Sequence, residues 1–203
     1  HSFFVPPVYD LLKPNGFFKI EEEQISAINH QIGQLQNCDR YLELQQKMER
    51  ETASSQQALS EARKVLKAAK EKREQRRLHR PNENEQVAMI RESQYQKAEF
   101  KRLERYWKEQ ISEIKTELES FSSQIEALKA ERRNRSAALQ QKLFQQFNFL
   151  NAKGETKNLC AIFEETVQKT PPAGAGECAA PKLLQYAYLS GLSPIAMAEF
   201  WWG

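Results

Sequence analysis

The chain has 203 residues, of which 40% are apolar and 28% are charged, and its mean hydropathy is −0.74. This composition, rich in Ala, Glu, Lys, Arg and Leu, is poor for one large spherical core and is typical of long helices and coiled coils. The net charge of +3 is too small to indicate nucleic-acid binding from the total alone. Aspartate occurs only as Asp10 and Asp39, which leaves little for mechanisms that need paired aspartates.

Cysteine and apolar patterns exclude further classes. Cys38, Cys160 and Cys178 are odd in number and lack CxxC spacing, which argues against a disulfide framework and against a zinc site. No apolar run approaches the ~20 residues that a membrane-spanning helix needs, and no secretory signal is present. We therefore expect a chain in the reducing cytoplasm, with no zinc site, no disulfide framework and no membrane partner.

The first predicted element is an extended, turn-rich segment over residues 1–19, which forms part of the base. Turn chemistry is evident in Val5-Pro6-Pro7 and in Lys13-Pro14-Asn15-Gly16. Three glutamates at positions 21–23 then place negative charge where a helix N-terminus favours it, so the first helix is expected to begin near residue 20.

Residues 20–150 are predicted to form an antiparallel helical hairpin. Between Phe17 and Lys153 the chain has one glycine, Gly33, and one proline, Pro81. Apolar residues recur in steps of three and four on both sides of Pro81, which indicates a coiled-coil seam with a stutter in the first arm. The positions are Ile25, Ile28, Ile32, Leu35, Leu42, Leu44, Met48, Leu59, Ala62, Leu66 and Ala69, then Trp107, Ile111, Ile114, Leu118, Phe121, Ile125, Leu128, Leu139, Leu143 and Phe147.

The turn is predicted near residues 80–85, because Pro81 disfavours helical geometry at the residue before it. Opposed residues then have numbers that add to about 165. This register sets Met48 near Leu118 and Leu59 near Trp107, so large apolar side chains meet along most of the arms. Pairing between two chains, which would give a homodimer, is the alternative.

Residues 151–203 are predicted to form a small, truncated α/β unit. Residues 159–163 read as a short buried segment with helical character, and Pro181 suits the first turn of a helix that Gly191 ends. The apolar stretch from Pro194 to Trp202 reads as a strand buried on both faces. Its only aromatic and β-branched counterpart is residues 2–5, so the chain is interpreted as a fragment. The fold class is mostly α: a long antiparallel coiled-coil hairpin attached to a small partial α/β unit.

Positive charge is concentrated at the turn of the hairpin. Residues 63–108 carry a net charge of +8, which leaves −5 for the rest of the chain. Phosphate backbones are a natural partner for such a region, and a solvated coiled-coil surface is the alternative interpretation. The residues predicted to contact RNA are Arg73, Arg76, Arg77, Arg80, Lys72, Lys101 and Arg105.

Two tyrosines and a glycine-rich loop are weaker indications of a binding site. Tyr95 and Tyr106 could stack on unpaired bases, whereas Phe100 and Trp107 fall on the predicted seam. The loop Gly174-Ala175-Gly176 could present backbone N–H groups to an anion, although a tight loop entering a helix is the favoured interpretation. No geometry in the sequence relates Glu177, Cys178 and Lys182 beside that loop, and their role stays open.

The two ends of the chain carry a resemblance. Residues 3–12 (FFVPPVYDLL), 16–23 (GFFKIEEE), 171–187 (PPAGAGECAAPKLLQYA) and 196–203 (AMAEFWWG) look like the amino-terminal extension of certain bacterial RluA-family RNA pseudouridine synthases. The helical middle matches in character more than in letters.

The resemblance implies a cytoplasmic enzyme that isomerises uridine in rRNA or tRNA without metal or organic cofactor, after flipping the base from its stack. The family's catalytic aspartate lies in an HRLD-type motif, which this sequence lacks, so neither Asp10 nor Asp39 inherits the role. The catalytic domain is expected beyond Gly203, and this fragment is expected to be inert alone. A structural or protein-interaction coiled coil without RNA contact is the alternative function.

Overall fold

A computed structural model describes residues 4–200. The predicted mostly-α fold is confirmed. The elements are α1 (Phe17–Gln36), α2 (Asp39–Leu78), α3 (Glu83–Phe144), β1 (Asn148–Leu150), β2 (Thr156–Asn158), α4 (Leu159–Glu164) and α5 (Ala179–Leu189). None of the helices in the described part of the chain has the length and apolar content needed to span a membrane.

The chain divides into two compact units, whose limits differ from the predicted domains. The first, called the base unit, combines residues 1–31 with residues 128–203, and the second, called the hairpin unit, comprises residues 32–127. Most of α1 and the last turns of α3 therefore belong to the base unit, although sequence periodicity continues through both helices. Packing partners rather than helix ends determine these limits.

In the hairpin unit, α2 and the first part of α3 run antiparallel on either side of residues 79–82. The turn is held by a reciprocal cap: the Asn82 side chain accepts from the Glu85 N–H at 2.9 Å, and the Glu85 carboxylate accepts from the Asn82 N–H at 2.9 Å. Arg63 pairs with Glu104 and Arg73 with Glu92, and the numbers of these pairs add to 167 and 165. The predicted turn and register therefore agree with the structure near the turn.

The seam of the hairpin unit is formed by the predicted apolar stripe. Leu44, Ile114 and Ile125 are buried, and Met89 extends the stripe towards the turn. The rings of Tyr41 and Phe121 lie 5.6 Å apart across the two helices. Leu42, which was predicted in the seam, is 40% exposed because Leu44 occupies the inward position in that turn.

The first arm is two helices rather than one. It begins at Phe17, earlier than expected, and is interrupted after Gln36. The Asn37 side chain donates to the Gly33 carbonyl at 2.7 Å, and the Cys38 backbone is extended (φ −71°, ψ 140°) at the N-terminus of α2. The predicted stutter lies a few residues later, so the change in apolar phase accompanies a break in the backbone.

In the base unit, α1 packs beside the end of α3 through polar contacts around a buried Ile28. Arg135 donates to Glu21 at 2.7 Å and to Gln24 at 2.6 Å, and Arg132 donates to Asn29 at 2.9 Å. These contacts carry the antiparallel pairing of α1 and α3 within this unit.

Phe147 is the centre of the base unit's core. Only 1% of its surface is exposed, and it packs with Phe144, Leu159 and Ala175. Asn158 joins the surrounding elements, since its side chain accepts from the Cys160 N–H at 2.9 Å at the start of α4 and donates to the Phe147 carbonyl at 3.3 Å. The end of α3 and the start of α4 are thereby tied together.

The sheet consists of β1 and β2, which pair antiparallel with Phe149 opposite Lys157. The outer edge of β1 is covered by a side chain of α5. Gln185 Oε1 accepts from the Leu150 N–H at 2.7 Å, and Gln185 Nε2 reaches the Asn148 carbonyl at 3.5 Å. The Gln185 amide therefore satisfies the backbone groups that a further strand would otherwise pair with.

We expect Gln185→Leu to destabilise the base unit by about 1 kcal/mol, because it leaves the partly buried Leu150 N–H without its acceptor. Hydrogen exchange at the Leu150 amide measures this directly and should become faster. Tyr186→Phe, at an exposed neighbouring position, is the matched control. Unchanged exchange in Gln185→Leu would show that the amide contact contributes nothing to the edge.

The predicted C-terminal strand is wrong over its described part. Residues 192–200 have no regular structure and are exposed, with Ile195 fully exposed and Phe200 76% exposed. Trp201 and Trp202, and residues 2–3 of the proposed partner stretch, lie outside the described residues. The apolar pattern was correct, but a strand requires hydrogen-bonding partners and the β1 edge is already covered.

Candidate nucleic-acid interface

The predicted RNA-contact residues all lie in the hairpin unit, on the last part of α2, the turn and α3. Six of the seven are exposed: Lys72, Arg76, Arg77, Arg80, Lys101 and Arg105. The seventh, Arg73, is only 6% exposed. The structure therefore removes Arg73 from the cations that a phosphate can reach.

Arg73 is part of the seam. Its Nη1 donates to Gln96 Oε1 at 2.5 Å and lies 3.5 Å from Glu92 Oε1, both on α3. Gln96 in turn donates to the same Glu92 oxygen at 3.2 Å. These contacts compensate for burying the guanidinium, and they replace apolar packing near the turn with a polar layer.

The spacing of residues in the sequence indicates that Arg73 occupies a seam position. Arg73 follows Leu59 and Leu66 at intervals of seven residues, which is the repeat of one seam position. The high charge density of residues 63–80 obscured that periodicity. Arg73 was grouped by its residue type, whereas its place in the repeat determines which way the side chain points.

The exposed cations of α2 and the turn differ in whether they already form ion pairs within the chain. Arg76 lies 3.8 Å from Glu92. Lys72, Arg77 and Arg80 have no ion-pair partner among residues 4–200. A cation without an internal partner can exchange its counterions for a phosphate without first breaking a salt bridge. Lys72, Arg77 and Arg80 are therefore exposed cations that a phosphate could reach without displacing an internal partner.

Lys101 and Arg105 form a second group. They lie four residues apart on α3, so they share one face of that helix. The nearby pairing of Arg63 with Glu104 places them level with the start of the basic part of α2. At ~1.5 Å per helical residue, this group lies about 20 Å along the hairpin from the cations at the turn.

Aromatic side chains separate into two classes in this region. Tyr95 is 65% exposed and Tyr106 is 53% exposed, so both rings can be reached from solvent. Phe100 and Trp107 are partly buried, in agreement with their predicted seam positions. The Trp107 indole packs against Tyr106 with the ring centroids 5.3 Å apart. Only the two tyrosines are available for stacking on a base.

The Gly174–Gly176 loop of the base unit packs into the core through Ala175. Ala175 is buried, and its N–H donates to the Pro172 carbonyl at 3.0 Å. The Glu177 N–H donates to the Gly174 carbonyl at 3.2 Å. The N–H groups of Ala175 and Glu177 therefore already have acceptors, which leaves fewer amides of this loop for an anion.

The remaining polar residues beside that loop do not form a reactive cluster. Cys178 is exposed at the N-terminus of α5 and makes no capping hydrogen bond through its side chain. Among residues 4–200, no three or more His, Cys, Asp and Glu side chains lie together in a group that could hold a metal ion.

Two arginines away from the basic region have shifted pKa values. A hydrogen bond to Glu117, reinforced by Coulombic attraction, raises the pKa of Arg40 above its ordinary value. Hydrogen bonds to Glu131 and then to Glu21 raise the pKa of Arg135, against a small opposing effect of burial. An arginine with a raised pKa stays charged, so these ion pairs do not titrate from the arginine side.

In comparisons with known proteins, this chain matches no family model, no curated protein and no solved structure. Assignment of function therefore depends on the residues and their geometry.

Proposed function

We propose that this chain is a non-catalytic, cytoplasmic accessory region of an RNA pseudouridine synthase, and that the basic part of its hairpin unit binds the RNA backbone. The RNA-binding part rests on three exposed cations near the turn that have no ion-pair partner among the described residues: Lys72, Arg77 and Arg80. The resemblance of both chain ends to the RluA family supports the synthase part.

Charge distribution supports RNA binding more than the total charge does. The +8 of residues 63–108 belongs to one compact unit, and the net charge of the remaining chain is negative. A local positive field of this kind attracts phosphates and orients the encounter. The approximate 20 Å between the turn and the group at Lys101 and Arg105 allows several phosphates of one strand to be contacted together.

A structural or protein-interaction role is the second candidate function. The observation that favours it is a set of exposed apolar side chains in the hairpin unit, including Val65, Val87 and Ile90. Val65 and Tyr95 also border a groove of about 360 Å³ between α2 and α3. A second copy of the chain or another helix could cover these side chains.

RNA affinity across a salt series tests the first function. If the basic region contacts phosphates, the logarithm of affinity for an RNA hairpin should fall linearly with the logarithm of salt concentration. Charge reversal of Lys72, Arg77 and Arg80 to Glu should lower the magnitude of the slope by roughly three, about one for each lost phosphate contact. Affinity at low salt should fall by roughly a hundredfold or more.

The matched control reverses Lys13, Lys47 and Lys153, which are exposed and lie outside the basic region. It changes the net charge by the same amount and should leave most of the salt slope intact. Equal effects of the two triple variants would contradict a localised interface. Absence of RNA binding at low salt, together with a concentration-dependent dimer in light scattering, would favour the protein-interaction role.

The synthase part needs a separate experiment. RNA cross-linked to the full chain in cells should be rRNA or tRNA, with pseudouridines close to the cross-linked nucleotides. Cross-links spread over messenger RNA, without enrichment of pseudouridine, would contradict this part while leaving RNA binding intact.

A further inference from the structure

A cleft lies at the turn of the hairpin unit, between the end of α2 and the start of α3. Its volume is about 490 Å³, which is within the range of ordinary small-molecule sites. Basic side chains line one part of it, Arg76, His79 and Arg80, and apolar groups line another, Pro81, Ala88 and Met89. The cleft therefore offers both positive charge and an apolar surface.

Both acidic side chains of the cleft are already engaged. Glu92 lies 3.5 Å from Arg73 and 3.8 Å from Arg76, and Glu85 accepts from the Asn82 N–H in the cap of α3. His79 and Arg80, in contrast, have no side-chain partner among the described residues. With Arg73 counted beside the lining side chains, the cleft has one more positive than negative group, and Arg80 is the arginine that forms no ion pair among the described residues, so an anion can bind there.

The backbone holds Arg80 in an unusual conformation. Its φ is +52°, in the left-handed region, which a residue with a Cβ atom rarely adopts. A glycine would fit this helix end without that restriction. Strained conformations of this kind concentrate at binding and catalytic sites, and here the strained residue carries a free guanidinium at the cleft.

The apolar part of the cleft has the properties of a surface for a flat ring. Met89 lines the cleft but is only 4% exposed, so the apolar surface that a flat ring can reach is that of Pro81 and Ala88. A nucleobase can occupy such a surface only if it has left its own stack. A fully paired duplex keeps its bases stacked inside, whereas a loop or bulge can extend one outward.

We propose that this cleft binds one unpaired nucleotide of an RNA loop, with the phosphate at Arg80 and His79 and the base against Pro81 and Ala88. The inference rests on the proposed RNA-binding function and specifies its substrate class as single-stranded or looped RNA. It also assigns Pro81 and Ala88 to recognition, although neither carries charge.

Filling the cleft without changing charge provides the test. Ala88→Trp places a large side chain at an exposed helix position that borders the cleft, and Ala53→Trp, at an exposed position elsewhere on α2, is the matched control. The probes are an RNA hairpin with 2-aminopurine in its loop and a fully paired RNA with the same number of phosphates. Circular dichroism and thermal unfolding establish that both variants fold.

The unmodified chain should bind the loop RNA more tightly than the duplex and should change the 2-aminopurine fluorescence. Ala88→Trp should lose about tenfold in loop affinity, the effect typical of one lost base-stacking contact, with duplex affinity unchanged. A second variant, Arg80→Gly, removes the guanidinium and suits the positive φ. It should weaken loop binding while leaving stability unchanged or higher.

The outcomes separate this inference from the proposed function. In one outcome the chain binds loop and duplex RNA equally and Ala88→Trp alters neither affinity, while reversing Lys72, Arg77 and Arg80 abolishes both. This result would overturn the nucleotide site in the cleft and keep the basic interface. Equal loss in Ala53→Trp and Ala88→Trp would also overturn the cleft. No binding of either RNA by the unmodified chain would overturn both.

Discussion

Gly176→Ala should lower the free energy of unfolding of the base unit by about 3 kcal/mol or more. Gly176 has a φ of +92°, and a Cβ atom there would lie 2.9 Å from Cγ of the Phe147 ring. Phe147 is 1% exposed and packs against Phe144, Leu159 and Ala175, so its ring cannot move without displacing these neighbours. Backbone strain of roughly 1–3 kcal/mol is therefore added to an overpacking cost of roughly 1–3 kcal/mol.

Gly174→Ala separates these two costs. Gly174 has a φ of +79°, but a Cβ atom at this position would have no neighbour within 4 Å. Both variants carry backbone strain, and only Gly176→Ala meets the ring. Hydrogen exchange in peptides covering residues 144–163 reports on the base unit separately from the longer helices. Equal destabilisation by the two variants would show that contact with Phe147 does not matter.

Arg73→Glu is the second large effect and concerns the hairpin unit. It would place a carboxylate in a site that is 6% exposed and already next to Glu92. Because breaking a buried ion pair leaves an uncompensated charge, we expect a loss of about 3 kcal/mol in the free energy of unfolding. Arg73→Met keeps much of the length without the charge and should stay within about 1 kcal/mol of the unmodified chain.

Arg77→Glu is the matched control, four residues along the same helix at an exposed position. It should change stability by no more than about 0.5 kcal/mol and should lower RNA affinity, whereas Arg73→Met should leave RNA affinity nearly unchanged. Chemical denaturation and the RNA salt series measure the two properties on the same proteins. Loss of RNA affinity in Arg73→Met at full stability would contradict the structural role of Arg73.

The polar layer around Arg73 restricts the register in which α2 and α3 can pair. Apolar seams tolerate sliding of one helix along the other, because one leucine resembles the next. A buried guanidinium has its acceptors only where Glu92 and Gln96 lie opposite it. The layer therefore favours a single register close to the turn, where the cations and the cleft of the proposed interface are positioned.

Much of the helical architecture could be predicted from local sequence. The apolar repeat predicted both arms, and Pro81 predicted the turn, because helix periodicity and the restriction before proline depend only on neighbouring residues. The short helix at residues 159–163 and the helix ended by Gly191 were predicted for the same reason. Each of these features is determined within a few residues of chain.

The two small strands were not predicted, and their physical origin explains why. Residues 148–150 and 156–158 are three residues each and show no marked alternation. They pair because the Asn158 side chain joins them to the end of α3 and Gln185 covers the outer edge from α5. The sequence of these six residues cannot predict the strands, because one of the contacts that hold β1 comes from Gln185, 35 residues after Leu150.

For this chain, the sequence alone determined helix content, the turn of the hairpin and the location of positive charge, because these follow from residue type and short-range spacing. Only the tertiary structure decided which of the charges face solvent. Arg73 and Arg77 are chemically identical and lie one helical turn apart, yet one is buried against α3 and the other is exposed. The opposing helix causes this difference, since burial is a property of the packed pair and not of either residue.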